Sequence, residues 1–140
     1  MSTTASRISQ INLVMVPSAD HDRSVAFYEA LGFEKRSDIT FGDDHRWVEL
    51  YPPRGATGIA IAPGRAEDTG VQTGIILASD DIDATHAELR AGGVDVDDEV
   101  ARRGAPAAIR IGAAEVVGPV PPMFYLRDPD GNALLIVQPG

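Results

Sequence analysis

The sequence of 140 residues has the length of one domain, and a chain of this length buries roughly two-thirds of its surface on folding. Its formal net charge of -9 at pH 7 disfavours nucleic acid or an anionic membrane surface as a partner. Because cysteine is missing from the sequence, disulfides and thiolate metal sites are excluded. The N-terminal residues lack the long apolar run of a signal peptide or membrane span, so we expect a cytoplasmic protein.

The first half of the chain predicts one helix among strands. An apolar run at 11–16 predicts a buried strand, which Pro17 interrupts. Asp20 is placed to cap a helix that Gly32 ends, since glycine adopts the left-handed conformation of a helix stop at low cost. The inward stripe of this helix consists of Val25, Phe27, Tyr28 and Leu31. Further strands are predicted at 34–40, 46–51 and 58–62.

The second half repeats this plan. A strand is predicted at 73–78, a cap at Asp81, and a helix at 84–91 that Gly92 and Gly93 end. Asp81 follows Asp20 by about 61 positions, an offset that superposes the two helices and their stops. The later strands are predicted at 95–100, 123–127 and 133–138. We therefore predict one α+β domain, residues 1–140, of two βαβββ modules at about 8–63 and 72–138.

Residues 102–122 form an insertion in the second module, rich in Gly, Ala and Pro, with no counterpart in the first. Such a segment is either a mobile flap over a pocket or a longer surface loop, and the sequence leaves both open. With one helix each, the modules can cover one face of their sheets and curl the other around a cleft. Together they predict a half-barrel with a lined interior.

Three motifs in the right order resemble one protein family. They are the helix segment DHDRSVAFY followed by Leu31-Gly32-Phe33, the segment Asp81-Ile82-Asp83 with its helix stop, and the turn DPDGN at 128–132. This pattern is similar to the vicinal-oxygen-chelate superfamily, which contains glyoxalases, bleomycin-resistance proteins and ring-cleaving dioxygenases. The resemblance spans nearly the whole chain. It implies the two-module fold and a symmetric homodimer.

The resemblance also implies four positions at which metal-using relatives carry His, Glu or Gln. In this chain they are Asn12 (or Gln10), Ala60, Gly74 (or Thr73) and Leu135. Of these, only Asn12 or Gln10 has a side chain that would coordinate a metal, and weakly. We therefore expect no metal and no other cofactor. A divalent metal would need ligands outside these four positions.

Strand alternation predicts the cleft residues. On 46–51, Val48 and Leu50 lie under the helix, whereas Trp47, Glu49 and Tyr51 face the cleft. On 123–127, Phe124 and Leu126 lie under the helix. The cleft then receives Met123, Tyr125 and Arg127, and its walls are completed by Asn12, Val14, Leu135 and Val137.

An aromatic-lined cleft with a few polar groups is typical of a small-molecule site. Trp47, Tyr51 and Tyr125 form a platform for a planar or cationic organic ligand, and Arg127 is suited to an anionic group. The sequence favours a metal-independent binding protein of the bleomycin-resistance type. The alternative is a lyase, isomerase or dioxygenase of the glyoxalase type, with Glu49 as general base or a metal at other ligands. A third interpretation is an interaction module whose cleft is filled.

Overall fold

The computed structural model describes residues 7–140. The chain divides into two compact units, and the boundary along the sequence falls between Ala66 and Glu67. This boundary lies in the gap between the predicted modules. A 3-10 turn, Ala66–Asp68, lies at the boundary. Within 7–140, neither helix has the length and apolar character needed to cross a membrane.

Unit 1 is a βαβββ module. Its elements are β1 (Leu13–Ser18), α1 (His21–Ala30), β2 (Glu34–Phe41), β3 (His45–Tyr51) and β4 (Gly58–Pro63). The sheet order is β1-β4-β3-β2, with β1 and β4 parallel and the other pairs antiparallel. Helix α1 covers one face, where the fully buried side chains are Val16, Tyr28, Val48, Leu50 and Ile61.

Strand β1 differs from its prediction because it continues through Pro17 to Ser18, in register with Ala62 and Pro63 of β4. A proline lacks the N–H that a central strand requires, but it fits a strand that pairs on one side. Within unit 1, β1 pairs with β4 alone, so Pro17 does not interrupt the ladder. The strand also begins at Leu13, two residues after the predicted start at Ile11.

Unit 2 has the same plan with a hairpin inserted. Its elements are β5 (Gln72–Ala78), α2 (Ile82–Ala91), β6 (Asp95–Val96), β7 (Ala108–Ile111), β8 (Ala114–Val117), β9 (Met123–Arg127) and β10 (Ala133–Val137). The main sheet has the order β5-β10-β9-β6, and β7 pairs with β8 in a separate antiparallel hairpin. The fully or nearly fully buried residues on its helix side include Ile82, Phe124, Leu126, Leu134 and Ile136. Two βαβββ modules are confirmed.

The strand predicted at 95–100 is wrong beyond Val96. The Asp97 side chain accepts a hydrogen bond from the backbone N–H of Tyr125 at 2.9 Å, whereas the Asp97 N–H donates to the Tyr125 carbonyl at 3.1 Å. A carboxylate thus replaces one backbone partner of the ladder, and the chain leaves the sheet. Ala101 returns to it as an isolated bridge with Met123.

The junction between strand and helix is duplicated in detail. In unit 1, Asp20 caps α1 through the Arg23 N–H at 3.1 Å, and Asp81 caps α2 in the same way through Ala84. Before each cap a buried or half-buried hydroxyl pair joins strand to helix. The pairs are Ser18 with Ser24 at 2.6 Å and Ser79 with Thr85 at 2.7 Å.

The turn at 128–132 is held together by side-chain hydrogen bonds. The Asp128 carboxylate accepts from the N–H groups of Asp130 at 3.0 Å and Asn132 at 2.9 Å. Gly131 has φ +82°, a conformation that other residues rarely adopt. The fully buried Asn132 accepts from the N–H groups of Gly70 and Val71, which fixes the start of β5.

Candidate functional site

The alternation predicted for β3 is present in unit 1. Val48 and Leu50 are 0% exposed beneath α1, whereas Trp47, Glu49 and Tyr51 are half-buried on the opposite face. We call these three residues, together with Ile39 and Phe41 of the neighbouring strand, the aromatic face. Ile39 pairs with Trp47 in the ladder, and Phe41 contacts the Trp47 ring edge-on at 6.3 Å between centroids.

The Glu49 carboxylate lies between two aromatic donors. The Trp47 Nε1–H donates to Oε2 at 3.0 Å, and the Tyr51 hydroxyl donates to Oε1 at 3.3 Å. Burial and the adjacent Glu49 carboxylate raise the pKa of Tyr51 above its ordinary value, so Tyr51 stays a donor at neutral pH. The two rings are thereby oriented around one anionic group.

A bulge in β2 places a cation against this face. The register shifts between Lys35 and Ser37, which leaves Arg36 outside the pairing. Its guanidinium carbon lies 4.5 Å from the centroid of the Tyr51 ring. Arg36 therefore occupies one side of Tyr51 by a cation–π contact.

The first strand contributes different residues from those predicted. Val16 and Ser18 are buried on the helix side, and by alternation Val14 belongs with them. The prediction that Val14 lines the cleft is therefore wrong. Asn12 precedes β1, is exposed, and falls on the same side as Val14 by parity. The β1 residue opposite Ala60, on the parity of the aromatic face, is Met15.

In unit 2, the hairpin β7–β8 covers part of the sheet face opposite α2. Ile109 of β7 is buried in a cluster with Ala101, Met123 and Leu135. Tyr125 packs at the edge of this cluster, and its hydroxyl donates to the Arg110 carbonyl at 2.7 Å. Met123 and Leu135, predicted as cleft walls, are thus largely buried beneath the insertion.

Arg127 is already engaged by carboxylates. Its guanidinium donates to Asp97 through Nη2 and to Asp95 through Nη1, the latter at 3.3 Å. An arginine held by two carboxylates is a poor clamp for a further anion, because the incoming group must displace a partner. The geometry therefore gives the predicted role of Arg127 in anion binding no support.

A cavity of about 280 Å³ lies within unit 2, between the edge of the sheet and the tip of the hairpin. Its lining comes from β5, β7, β9 and β10, with Tyr125 and Leu135 from the predicted set. Gly74 has φ +74° at a register shift in β5, where two extra residues bulge from the ladder. A side chain at this position would be strained.

Three of the four positions at which relatives hold metal do not fit a metal here. Ala60 and Leu135 offer no donor atom, and Gly74 has no side chain. The Thr73 hydroxyl, the alternative to Gly74, donates to the Ala133 carbonyl at 2.8 Å. Among residues 7–140, no three acidic or histidine side chains are grouped closely enough to hold an ion.

The fold and these faces define a class: a two-module α+β protein whose units each carry a helix on one sheet face and aromatic or apolar side chains, with a few polar ones, on the other. The family model of the Glyoxalase/Bleomycin resistance protein/Dioxygenase superfamily matches residues 10–136. The chain belongs to this superfamily. No curated protein matches the sequence.

Solved structures support the same assignment. TnmS3, an antibiotic binding protein from Streptomyces sp. CB03234, is 27% identical with a TM-score of 0.74, and the match covers 97% of this chain and 100% of that one. A superfamily member from Sphaerobacter thermophilus is 25% identical with a TM-score of 0.73, covering 94% and 98%. The bleomycin resistance determinant of transposon Tn5, 23% identical with a TM-score of 0.58 and covering 94% and 98%, shares the fold.

Sequence reasoning missed the hairpin and Asp97. The alternation of Ile109 and Ile111 before Gly112, followed by Val116 and Val117, is a hairpin signal that was available in the insertion. No such signal marks Asp97, because its role depends on a strand far along the chain. The Asp97 side chain bonds Tyr125 and Arg127.

Proposed function

We propose that this protein binds a small organic molecule without a metal, and that the aromatic face of unit 1 forms the principal contact surface. The observation that carries the proposal is the Glu49 carboxylate, oriented by Trp47 and Tyr51 within an aromatic surface. The similarity to an antibiotic binding protein supports binding rather than turnover as the activity. The aromatic face supports the same reading, because aromatic surfaces with few polar groups suit organic ligands.

The chemistry of the face favours a planar ligand that carries a cationic group. A carboxylate offers about four acceptor positions, and Trp47 and Tyr51 occupy two. The remaining positions suit an ammonium or a guanidinium, whose charge would also interact with the Trp47 ring. The net charge of -9 favours the approach of a cation over that of an anion.

The remaining predicted residues take supporting roles in this proposal. Tyr125 contributes a ring and lines the cavity of unit 2, whereas Met123 and Leu135 form the base on which the hairpin packs. Arg127 orients Asp97 through their ion pair. Asn12, which falls on the helix side by parity, takes no part in this surface.

Binding is tested by a thermal-shift screen of planar organic cations, followed by titration of Trp47 emission, since Trp47 is the only tryptophan. Glu49→Gln removes the charge and keeps the shape, and we expect affinity for a cationic ligand to fall about tenfold or more. Glu29→Gln, on the exposed surface of α1, is the matched control and should change affinity less than about twofold. Equal losses in both variants, or no binder in the screen, would contradict the proposal.

Metal independence is tested by elemental analysis of untagged protein before and after incubation with iron, nickel, zinc and manganese. We expect no stoichiometric metal and no change in ligand affinity on chelation. One tightly held metal per chain would overturn this part of the proposal and favour the glyoxalase-type enzyme.

We also propose that the protein acts as a homodimer. Exposed apolar side chains in both units support this, among them Met15 at 66% exposed and Val120 at 66%. Sedimentation velocity at micromolar concentration should give a particle of twice 14.8 kDa. A particle of 14.8 kDa alone would contradict the dimer.

A further inference from the structure

The aromatic face of unit 1 is bordered by a cation as well as carrying the Glu49 carboxylate. We infer that Arg36 is a second anchor of this face, and that the ligand is a planar zwitterion whose cationic group meets Glu49 and whose anionic group meets Arg36. The inference rests on the proposed function, because it keeps the aromatic face as the contact surface and Glu49 as the partner of the cation. It adds an acidic group to the ligand and names the residue that selects for it.

The bulge in β2 places the guanidinium at this face. Glu34 pairs with Tyr51 in the ladder, and the register shift after Lys35 leaves Arg36 outside the pairing. The guanidinium carbon of Arg36 lies 4.5 Å from the centroid of the Tyr51 ring, and the Tyr51 hydroxyl donates to Glu49 at 3.3 Å. One tyrosine side chain therefore contacts a cation through its ring and an anion through its hydroxyl. The two opposite charges are separated by no more than this side chain.

The position of the Tyr51 ring is set by Gly58, the first residue of β4. Gly58 is buried, and a Cβ added there would lie 2.7 Å from Cε2 and 2.8 Å from Cδ2 of the ring. It would also lie 2.9 Å from the Leu50 carbonyl oxygen, which cannot shift without moving β3. Gly58 is not among the glycines with positive φ, so space for the ring, and not backbone conformation, requires a glycine here. The ring that carries Arg36 is thereby confined.

Arg36 has donors to offer an anion, in contrast to Arg127. A guanidinium has five N–H donors, and the bond from Nη2 of Arg36 to Glu34 at 3.1 Å uses one of them. The two side chains of this pair are 43% and 56% exposed, so water competes for the bond and little is lost when a ligand carboxylate shares the guanidinium. Arg127 is bonded by two carboxylates.

The charge of the protein favours a zwitterion over a simple anion at Arg36. The net charge of -9 repels an anion, whereas a molecule with one charge of each sign approaches without a net penalty. Its cationic group interacts with Glu49, and its anionic group forms a charge-assisted hydrogen bond with Arg36. A planar cation that lacks the acidic group makes only the first of these contacts.

A matched pair of probes tests the second anchor. 4-Amidinobenzoate and benzamidine are both planar amidinium cations, and they differ only in the carboxylate. In titrations of Trp47 emission, the unmodified protein should bind 4-amidinobenzoate at least about fivefold more tightly than benzamidine. Arg36→Gln should abolish this preference, whereas Glu34→Gln, at an exposed position of the same strand, is the matched control and should keep it. Equal binding of the two probes, or a preference that survives Arg36→Gln, overturns the inference.

A measurement without ligand checks the contact between Arg36 and Tyr51. Burial and Glu49 raise the pKa of Tyr51, and the charge of Arg36 opposes them. Arg36→Gln should therefore raise the pKa of Tyr51 further in a spectroscopic titration, and an unchanged or lower pKa would overturn the contact. Binding of planar cations with no gain from the carboxylate refutes the Arg36 anchor alone. The absence of binding by any planar cation refutes the proposed function on which the anchor rests.

Discussion

The duplicated hydroxyl pairs permit a test in which the same two hydrogen bonds are removed from two environments. Ser18 Oγ accepts from the Asp20 N–H at 3.1 Å and bonds Ser24 Oγ at 2.6 Å. Ser79 Oγ accepts from the Asp81 N–H at 3.1 Å and bonds the Thr85 hydroxyl. The chemistry is the same at both junctions, so a difference in stability reports the surroundings.

The burial of the two pairs predicts unequal losses. Ser18 and Ser24 are 2% and 1% exposed, so water cannot replace the bonds lost in Ser18→Ala. With two bonds worth about 1 kcal/mol each, the free energy of unfolding should fall by about 2 kcal/mol. Ser79 is half-buried, and water can reach the groups freed by Ser79→Ala. We expect a loss of about 1 kcal/mol there.

Urea denaturation measures both losses. Trp47 lies in unit 1, so its emission follows the unit that contains Ser18, and far-UV circular dichroism follows both units. A double-mutant cycle with Ser24→Ala should give a coupling of about 0.5 kcal/mol or more. Equal losses at the two junctions, or a larger one for Ser79→Ala, would refute the argument that burial sets the cost.

Other outcomes follow from single contacts. The hydrogen bond from Arg46 lowers the pKa of Asp38 from 3.8 to about 2, so this stabilisation is present above about pH 4 and is lost as the pH falls toward 2. Asp38→Asn should therefore cost at most about 1 kcal/mol at pH 7, because the pair is partly exposed, and nothing near pH 2, in urea titrations across pH. Glu49→Gln should lower the pKa of Tyr51 but leave it above its ordinary value, because the burial of the hydroxyl remains. Spectroscopic titration of tyrosine, with Tyr51→Phe to identify the Tyr51 signal, measures this pKa, and an unchanged pKa in Glu49→Gln would contradict the prediction. Asn132→Ala should cost about 2–3 kcal/mol in thermal unfolding, because two buried N–H groups lose their acceptor, and a loss below about 0.5 kcal/mol would contradict that role.

Most of the fold was predictable because its signals are local. The caps at Asp20 and Asp81, the glycine stops and the 61-residue offset are all contained in short segments. The end of β6 was not predictable, because it depends on Asp97 meeting a strand that lies 28 residues away. The end of the first strand is not readable from Pro17 alone, because a strand that pairs on one side accommodates proline.

The sheet face on which a candidate residue lies was predictable where strand alternation decides it. Residues of one strand share a face by parity, and this places Trp47, Glu49 and Tyr51 together. The same rule orients Met123 and Tyr125, but parity does not reveal what covers a face. Ile109 of the inserted hairpin covers Met123, and only the tertiary structure shows this contact.

The positions that hold metal in relatives make other contacts in this chain. Ala60 pairs with Glu49 and with Met15, so a small side chain there leaves room for the carboxylate and its two aromatic donors. Leu135 supports the hairpin, and the Gly74 bulge opens the cavity at its edge. A side chain such as histidine at any of these positions would compete with these contacts for the same volume. Restoring a donor at Ala60 should disturb the Glu49 contacts before it creates a metal site.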